Sequence, residues 1–107
     1  HPARIEDLAI KHPNIEKVAA FAVPDERLGE KVGLAVMPAQ LPAPAGGDVL
    51  NHLHAAGLSK YDMPEYFIVM DDFPLTASGK ILKRELAEWA RSGRISPDPI
   101  RFTEPDA

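Results

Sequence analysis

At 107 residues the chain is long enough for one hydrophobic core but short for an independent enzyme. Its apolar fraction of 45% and charged fraction of 26% are those of an ordinary globular chain, and a net charge of −4 argues against a general nucleic-acid or acidic-membrane surface. The absence of cysteine removes disulfides, thiol nucleophiles and zinc–thiolate sites together; it suits a reducing compartment, and a cytoplasmic location is expected. No apolar run approaches the roughly 18 residues of a membrane span, so no transmembrane segment is expected. The first residue is His1 rather than Met and a helical pattern starts at once, which reads as a piece of a longer chain.

Pro2 suits a first helical position, with Glu6 and Asp7 expected in the opening turn and Ile5, Leu8 and Ala9 forming a buried stripe. His12-Pro13-Asn14 ends this helix. "VAAFAV" (18–23) is apolar at every position, as in a strand covered on both faces, and "KVGLAVM" (31–37) pairs with it as a hairpin. "PAQLPAPAGG" (38–47) is a surface connection, not a domain boundary. Asp48 is expected to cap a second helix that buries Val49, Leu50 and Leu53 and ends near Gly57. "SKYDMPEY" leads into a third strand, "YFIVM" (66–70).

A last helix is expected to begin at Lys80, carry Lys80, Lys83 and Arg84 on its first turn, bury Leu82, Leu86, Trp89 and Ala90, and stop at Gly93. The polar tail from Ser96 is expected to be extended. The order α-β-β-α-β-α predicts a small two-layer α+β domain in which three helices pack on a three-stranded sheet. The domain is expected to span 1–95, with 96–107 as tail.

Most familiar chemistry is missing. Gly79-Lys80 lacks the earlier glycine and following Ser or Thr of a phosphate loop, since Pro74 and Ile81 hold those places. His52 and His54, two apart on a helix, face different ways and read as solvated rather than as metal ligands. No nucleophilic triad can be assembled, and no metal site is expected. What remains is the stretch around Lys80. Thr76, Ser78 and Gly79 offer short hydroxyls and a backbone that a ligand can approach closely, and Lys80 adds a mobile point charge. Two readings stand: an anion site, or a solvated basic turn balanced by Glu85 and Glu88. An ammonium–phosphate contact at about 4 Å is worth about 1 kcal/mol in water and about 4 at an effective dielectric near 20, so an exposed lysine gains strength only when another surface closes over it.

"PLTASGKILKREL" (74–86) resembles the C-terminal signature of the adenylate-forming superfamily of acyl-CoA synthetases, luciferases and peptide-synthetase adenylation domains. Pro74, Thr76, Gly79, Lys80, Ile81, Lys83 and Leu86 carry the match. Upstream, "PARIEDLAIKHPNIEKVAAFAVPDERLGEKVGLAVMP" is similar to the family's first helix and hairpin, and "LSKYDMPEYF" to its Tyr-Lys-x-Pro segment. The match runs in order to about Arg91. Asp62 departs from the family's lysine, Lys83 from its arginine, and Ala3-Arg4 from its Glu-Ile spacing.

The resemblance implies the mobile C-terminal lid of an ATP-dependent acid–thiol ligase, whose N-terminal domain, absent here, would be the lid's partner. That domain would hold ATP with its Mg2+ and a small carboxylic acid, expected to be fatty or otherwise hydrophobic. Lys80 is then the catalytic lysine of acyl-adenylate formation, with Thr76, Ser78 and Gly79 in the adenylate loop. Tyr61 and Pro64 are implied on the CoA side. The competing expectations are a carrier-protein or oxygen acceptor, or a non-catalytic binding module of the same fold; no nucleic-acid partner is expected.

Overall fold

A computed structural model describes residues 1–27 and 29–104. Eight elements follow in order: α1 (Pro2–Ala9), β1 (Ile15–Asp25), β2 (Gly29–Pro38), α2 (Gly46–Ala55), a 3₁₀ turn (Lys60–Asp62), β3 (Tyr66–Val69), α3 (Lys83–Ser92) and β4 (Asp98–Pro99). Proline at N1 sets the start of α1, and Ile5, Leu8 and Ala9 are its buried stripe, as expected. Glu6 and Asp7, by contrast, lie beyond the first turn, so neither complements the helix dipole there. Asp48 is not a cap either: Ala45 holds that position, and Asp48 lies inside the first turn of α2.

The α+β class holds, but the sheet has four strands in the order β1-β2-β3-β4 rather than three. β1 and β2 form a long antiparallel hairpin from Ile15↔Pro38 to Asp25↔Gly29. β3 joins β2 in parallel, which demands a crossover, and α2 supplies it. The extra strand comes from the tail. Asp98 and Pro99 pair with β3, and Ile100 N–H donates to the Glu65 carbonyl at 2.9 Å. A two-residue polar strand containing proline has almost no sequence signature, which is why it read as extended tail rather than as a paired strand. Beyond it Phe102 packs against the core and its ring lies 4.7 Å from that of His54. Gly46 leaves room for this return, since a Cβ there would sit 2.8 Å from Ile100 Cγ2. Residues 105–107 of the expected tail lie outside the described residues.

Alternation along the strands sends side chains to two cores. Ala20, Leu34, Val36 and Phe67 join α1 and α2 on one face; Ala19, Phe21, Val23 and Ala35 join Phe73 and Leu86 of the α3 side on the other. Helices therefore cover both faces, one layer more than expected, in keeping with the doubly apolar β1. The connection 38–47 is held at the surface by Asn14, whose Oδ1 accepts from Gln40 N–H at 2.9 Å and whose Nδ2 donates to the Pro42 carbonyl at 3.0 Å.

Candidate functional site

Residues 75–81 form a small hairpin, with Leu75 and Ile81 bridged as antiparallel partners. Its closure uses backbone and Thr76 together. Thr76 N–H donates to the Lys80 carbonyl at 2.8 Å, Gly79 N–H to the Thr76 carbonyl at 2.9 Å, and Lys80 N–H to Thr76 Oγ1 at 3.0 Å. Thr76 Oγ1 also shares a hydrogen bond with Ser78 Oγ at 3.0 Å. The reversal needs a positive φ at Gly79 (89°), a conformation that glycine takes without steric cost. Leu82 N–H donates to the Pro74 carbonyl at 2.8 Å and closes the base.

Lys80 thus stands on the hairpin, not on the helix. α3 begins three residues later at Lys83, with Leu82 as its N-cap, and Leu82 is exposed rather than part of the buried stripe. Ile81 replaces it, packing with Leu86, Trp89 and Ala90 on the second core. The Lys80 side chain is exposed and makes no ion pair among the described residues, whereas Lys83 does. Lys83 Nζ meets Glu6 at 2.8 Å (Oε1) and 2.7 Å (Oε2), and Glu6 Oε2 also accepts the Ala20 N–H of edge strand β1 at 2.8 Å. The basic turn read as one unit is in fact divided: among the described residues Lys83 is paired with an acid and Lys80 is not.

Tyr61 and Pro64 lie elsewhere. The 3₁₀ turn is capped by Ser59, whose Oγ accepts Tyr61 N–H at 3.2 Å, and Tyr61 is 86% exposed. Pro64 is fully buried and contributes to the wall of a cleft of about 450 Å³, so it can shape that cleft but offers little surface to a ligand. Tyr61, Lys60, Tyr66, Arg101 and Phe102 also line the cleft, and no hairpin residue does. The flanks of the two regions differ in the same way. Phe73 and Ile81 anchor the Lys80 hairpin in the second core, while Leu58 and Met63 anchor the Tyr61 turn in the first.

The sequence profile of the AMP-binding enzyme C-terminal domain matches residues 4–80. The chain belongs to that family. Pyochelin synthase PchD of Pseudomonas aeruginosa is 38% identical to this C-terminal domain over 87 residues, covering 81% of the chain and 16% of the relative. The fatty acid–[acyl-carrier-protein] ligase ScoC of Streptomyces coeruleorubidus is 35% identical over 98 residues, covering 88% and 18%. Among solved structures, the Mycobacterium tuberculosis fatty acyl CoA synthetase superposes with a TM-score of 0.75 at 29% identity, covering 86% of the chain and 18% of that one. The C-terminal domain thus spans less than a fifth of the length of these relatives.

Within this domain the structure brings Thr76, Ser78, Gly79 and Lys80 together and keeps Tyr61 and Pro64 apart from them. His52, read as solvated, is structural, and so is His12. His52 Nε2 donates to the Leu8 carbonyl at 2.8 Å, and His12, its ring 5.1 Å from that of His52, accepts Asn14 N–H on Nδ1 at 3.0 Å. Among the described residues no group of three His, Asp or Glu side chains converges as a metal site requires, and no helix is long and apolar enough to cross a membrane. Sequence reading missed Glu6. It meets Lys83 across 77 residues, and no local spacing can pair groups that only the tertiary fold joins.

Proposed function

We propose that this domain is the mobile lid of an ATP-dependent, adenylate-forming acid–thiol ligase, and that Lys80 is its catalytic lysine. The reading rests on one observation above the others: in a member of this family, a hydrogen-bonded hairpin holds up a single lysine that the fold does not neutralise. In the proposed reaction a carboxylate oxygen attacks the α-phosphorus of ATP, the bond to pyrophosphate breaks, and acyl-AMP forms. The substrate carboxylate and the triphosphate repel each other as they approach. An ammonium delivered between them offsets that repulsion and stabilises the charge gathering on the α-phosphoryl oxygens. Lys80 is a clamp there, not a base. Thr76, Ser78 and Gly79 fix the height and direction of the loop that carries it.

A thiol then attacks the acyl carbon and AMP leaves. We assign the Tyr61 cleft to this second step, as the side facing the CoA thiol arm, because it lies apart from the hairpin and is anchored in the other core. The ligase body preceding the lid would be its partner, in the same cytoplasmic polypeptide. That body would bind ATP and the acid, together with any Mg2+ accompanying ATP. The similarity to a fatty acyl CoA synthetase and to a fatty acid–carrier-protein ligase supports a fatty or other hydrophobic acid. The second of these also supports a carrier-protein thiol as an alternative acceptor.

Pyrophosphate exchange into ATP, measured in the full-length protein, tests the assignment. Lys80→Ala should lower it by about 10²–10³, the scale of removing one preorganised charge contact. An unchanged exchange rate would overturn the reading. Product release with CoA alone, against CoA-free carrier protein, separates the acceptors.

A further inference from the structure

Glu6 is buried to a degree unusual for an acid on a surface helix: its side chain is 18% exposed, yet both oxygens are engaged. The geometry around it joins three elements. α1, which carries Glu6, packs on the first core; α3, which opens with Lys83, packs on the second. They lie on opposite faces of the sheet, so the Glu6–Lys83 pair passes around the free edge of β1. There the same carboxylate takes the Ala20 N–H, which has no strand partner on that side. A carboxylate that closes an exposed sheet edge and holds the helix behind it acts as a clasp.

Lys83 is three residues from Lys80, with Ile81 and Leu82 between them. Both intervening residues are fixed, Ile81 by its bridge to Leu75 and Leu82 by its bond to the Pro74 carbonyl. Little slack therefore separates the clasp from the hairpin.

We infer that Glu6 is a positioning residue for the adenylation step: through Lys83 it fixes the start of α3, and thereby the point from which the Lys80 ammonium is projected. This rests on the role proposed above for Lys80. A lysine aimed into a gap between two anions loses its effect when its base shifts, and a displacement near 1 Å arising far from the chemistry can cost about 10²-fold. The clasp lies apart from the Tyr61 cleft, none of whose lining residues it includes. Its loss should consequently fall on one half-reaction.

The test uses the full-length protein and follows both halves separately: pyrophosphate exchange for adenylation, and transfer from preformed acyl-adenylate to CoA for the second step. Glu6→Gln keeps an acceptor for Ala20 N–H and removes the charge that holds Lys83. It should lower the maximal exchange rate at least about tenfold while the KM for ATP changes little and acyl transfer stays within about twofold. Lys83→Met should do the same, the double variant should be no worse than either single one, and Lys83→Arg should recover most of the loss. Equal loss in both half-reactions would reduce the clasp to general structural support and overturn the inference, as would no loss in exchange. Should Glu6→Gln fail to fold, Lys83→Met alone decides between the same outcomes, because that side chain is half exposed. If Lys80→Ala leaves exchange unchanged, it is the functional reading that falls; if Lys80→Ala abolishes exchange and the clasp variants do not, only this inference falls.

Discussion

The Lys80 hairpin and the Tyr61 turn are both short, exposed and stiffened by a hydroxyl accepting a backbone N–H, Thr76 in one and Ser59 in the other. They differ in what stands behind them. Phe73 and Ile81 tie the hairpin to the core under α3; Leu58 and Met63 tie the turn to the core under α1 and α2. One sheet thus lies between the anchors of the two regions, with Tyr66, which lines the Tyr61 cleft and packs against the second core, common to both sides. For a lid proposed to present one region for adenylation and another for thiol attack, this arrangement lets each be built without compromising the other.

Emptying either core tests that independence with the largest effect. Leu86→Ala and Leu58→Ala each remove a side chain that is at most 2% exposed, and each should cost about 2–5 kcal/mol in denaturant unfolding of the 107-residue chain. In the full-length protein the two should diverge: Leu86→Ala lowers pyrophosphate exchange more than acyl transfer, and Leu58→Ala the reverse. Parallel losses would show that the cores do not insulate the two regions.

A smaller change sharpens the comparison at the hairpin itself. Thr76→Val removes the acceptor for Lys80 N–H and the bond to Ser78 while keeping the shape of the side chain. The expected cost is about 1 kcal/mol, felt as roughly a fivefold drop in exchange with acyl transfer unaltered. An unchanged exchange rate would mean that the backbone bonds alone aim Lys80.

The smallest effect concerns Lys31, beside the Tyr61 turn. Its hydrogen bond to Glu65 holds its ammonium above the ordinary lysine value of 10.5, with Asp25 adding to the effect against partial desolvation. A raised pKa in the fold means that this contribution is complete below the ordinary value and is lost as pH rises through the shifted one. Unfolding measured between about pH 9 and 12 should therefore fall more steeply above the ordinary lysine range in the natural chain than in Lys31→Met. Identical slopes would remove Lys31 from the account.

Much of this architecture is readable without coordinates. β1 and β2 announce themselves through unbroken apolar runs, and Val49, Leu50 and Leu53 through helical spacing. The Lys80 segment stands out through its match to the family signature, since its residue types alone fit both an anion site and a solvated basic turn. The failures have physical causes. Periodicity carried the last helix back to Lys80, since Ile81 and Leu82 continue an apolar pattern even though one is in a bridge and the other is a cap. β4 is too short and too polar to have a period. Glu6 and Lys83 illustrate the deeper limit: nothing in their spacing pairs them until the fold brings α1 and α3 to the same edge of β1.

Lys80 is proposed to act in one step and not the other, and a paired assay of the full-length Lys80→Ala variant measures that directly. Pyrophosphate exchange should fall by about 10²–10³ while transfer from preformed acyl-adenylate to thiol proceeds at the natural rate. Exchange that survives the substitution, or transfer that collapses along with it, would contradict the assignment of the hairpin to adenylation alone.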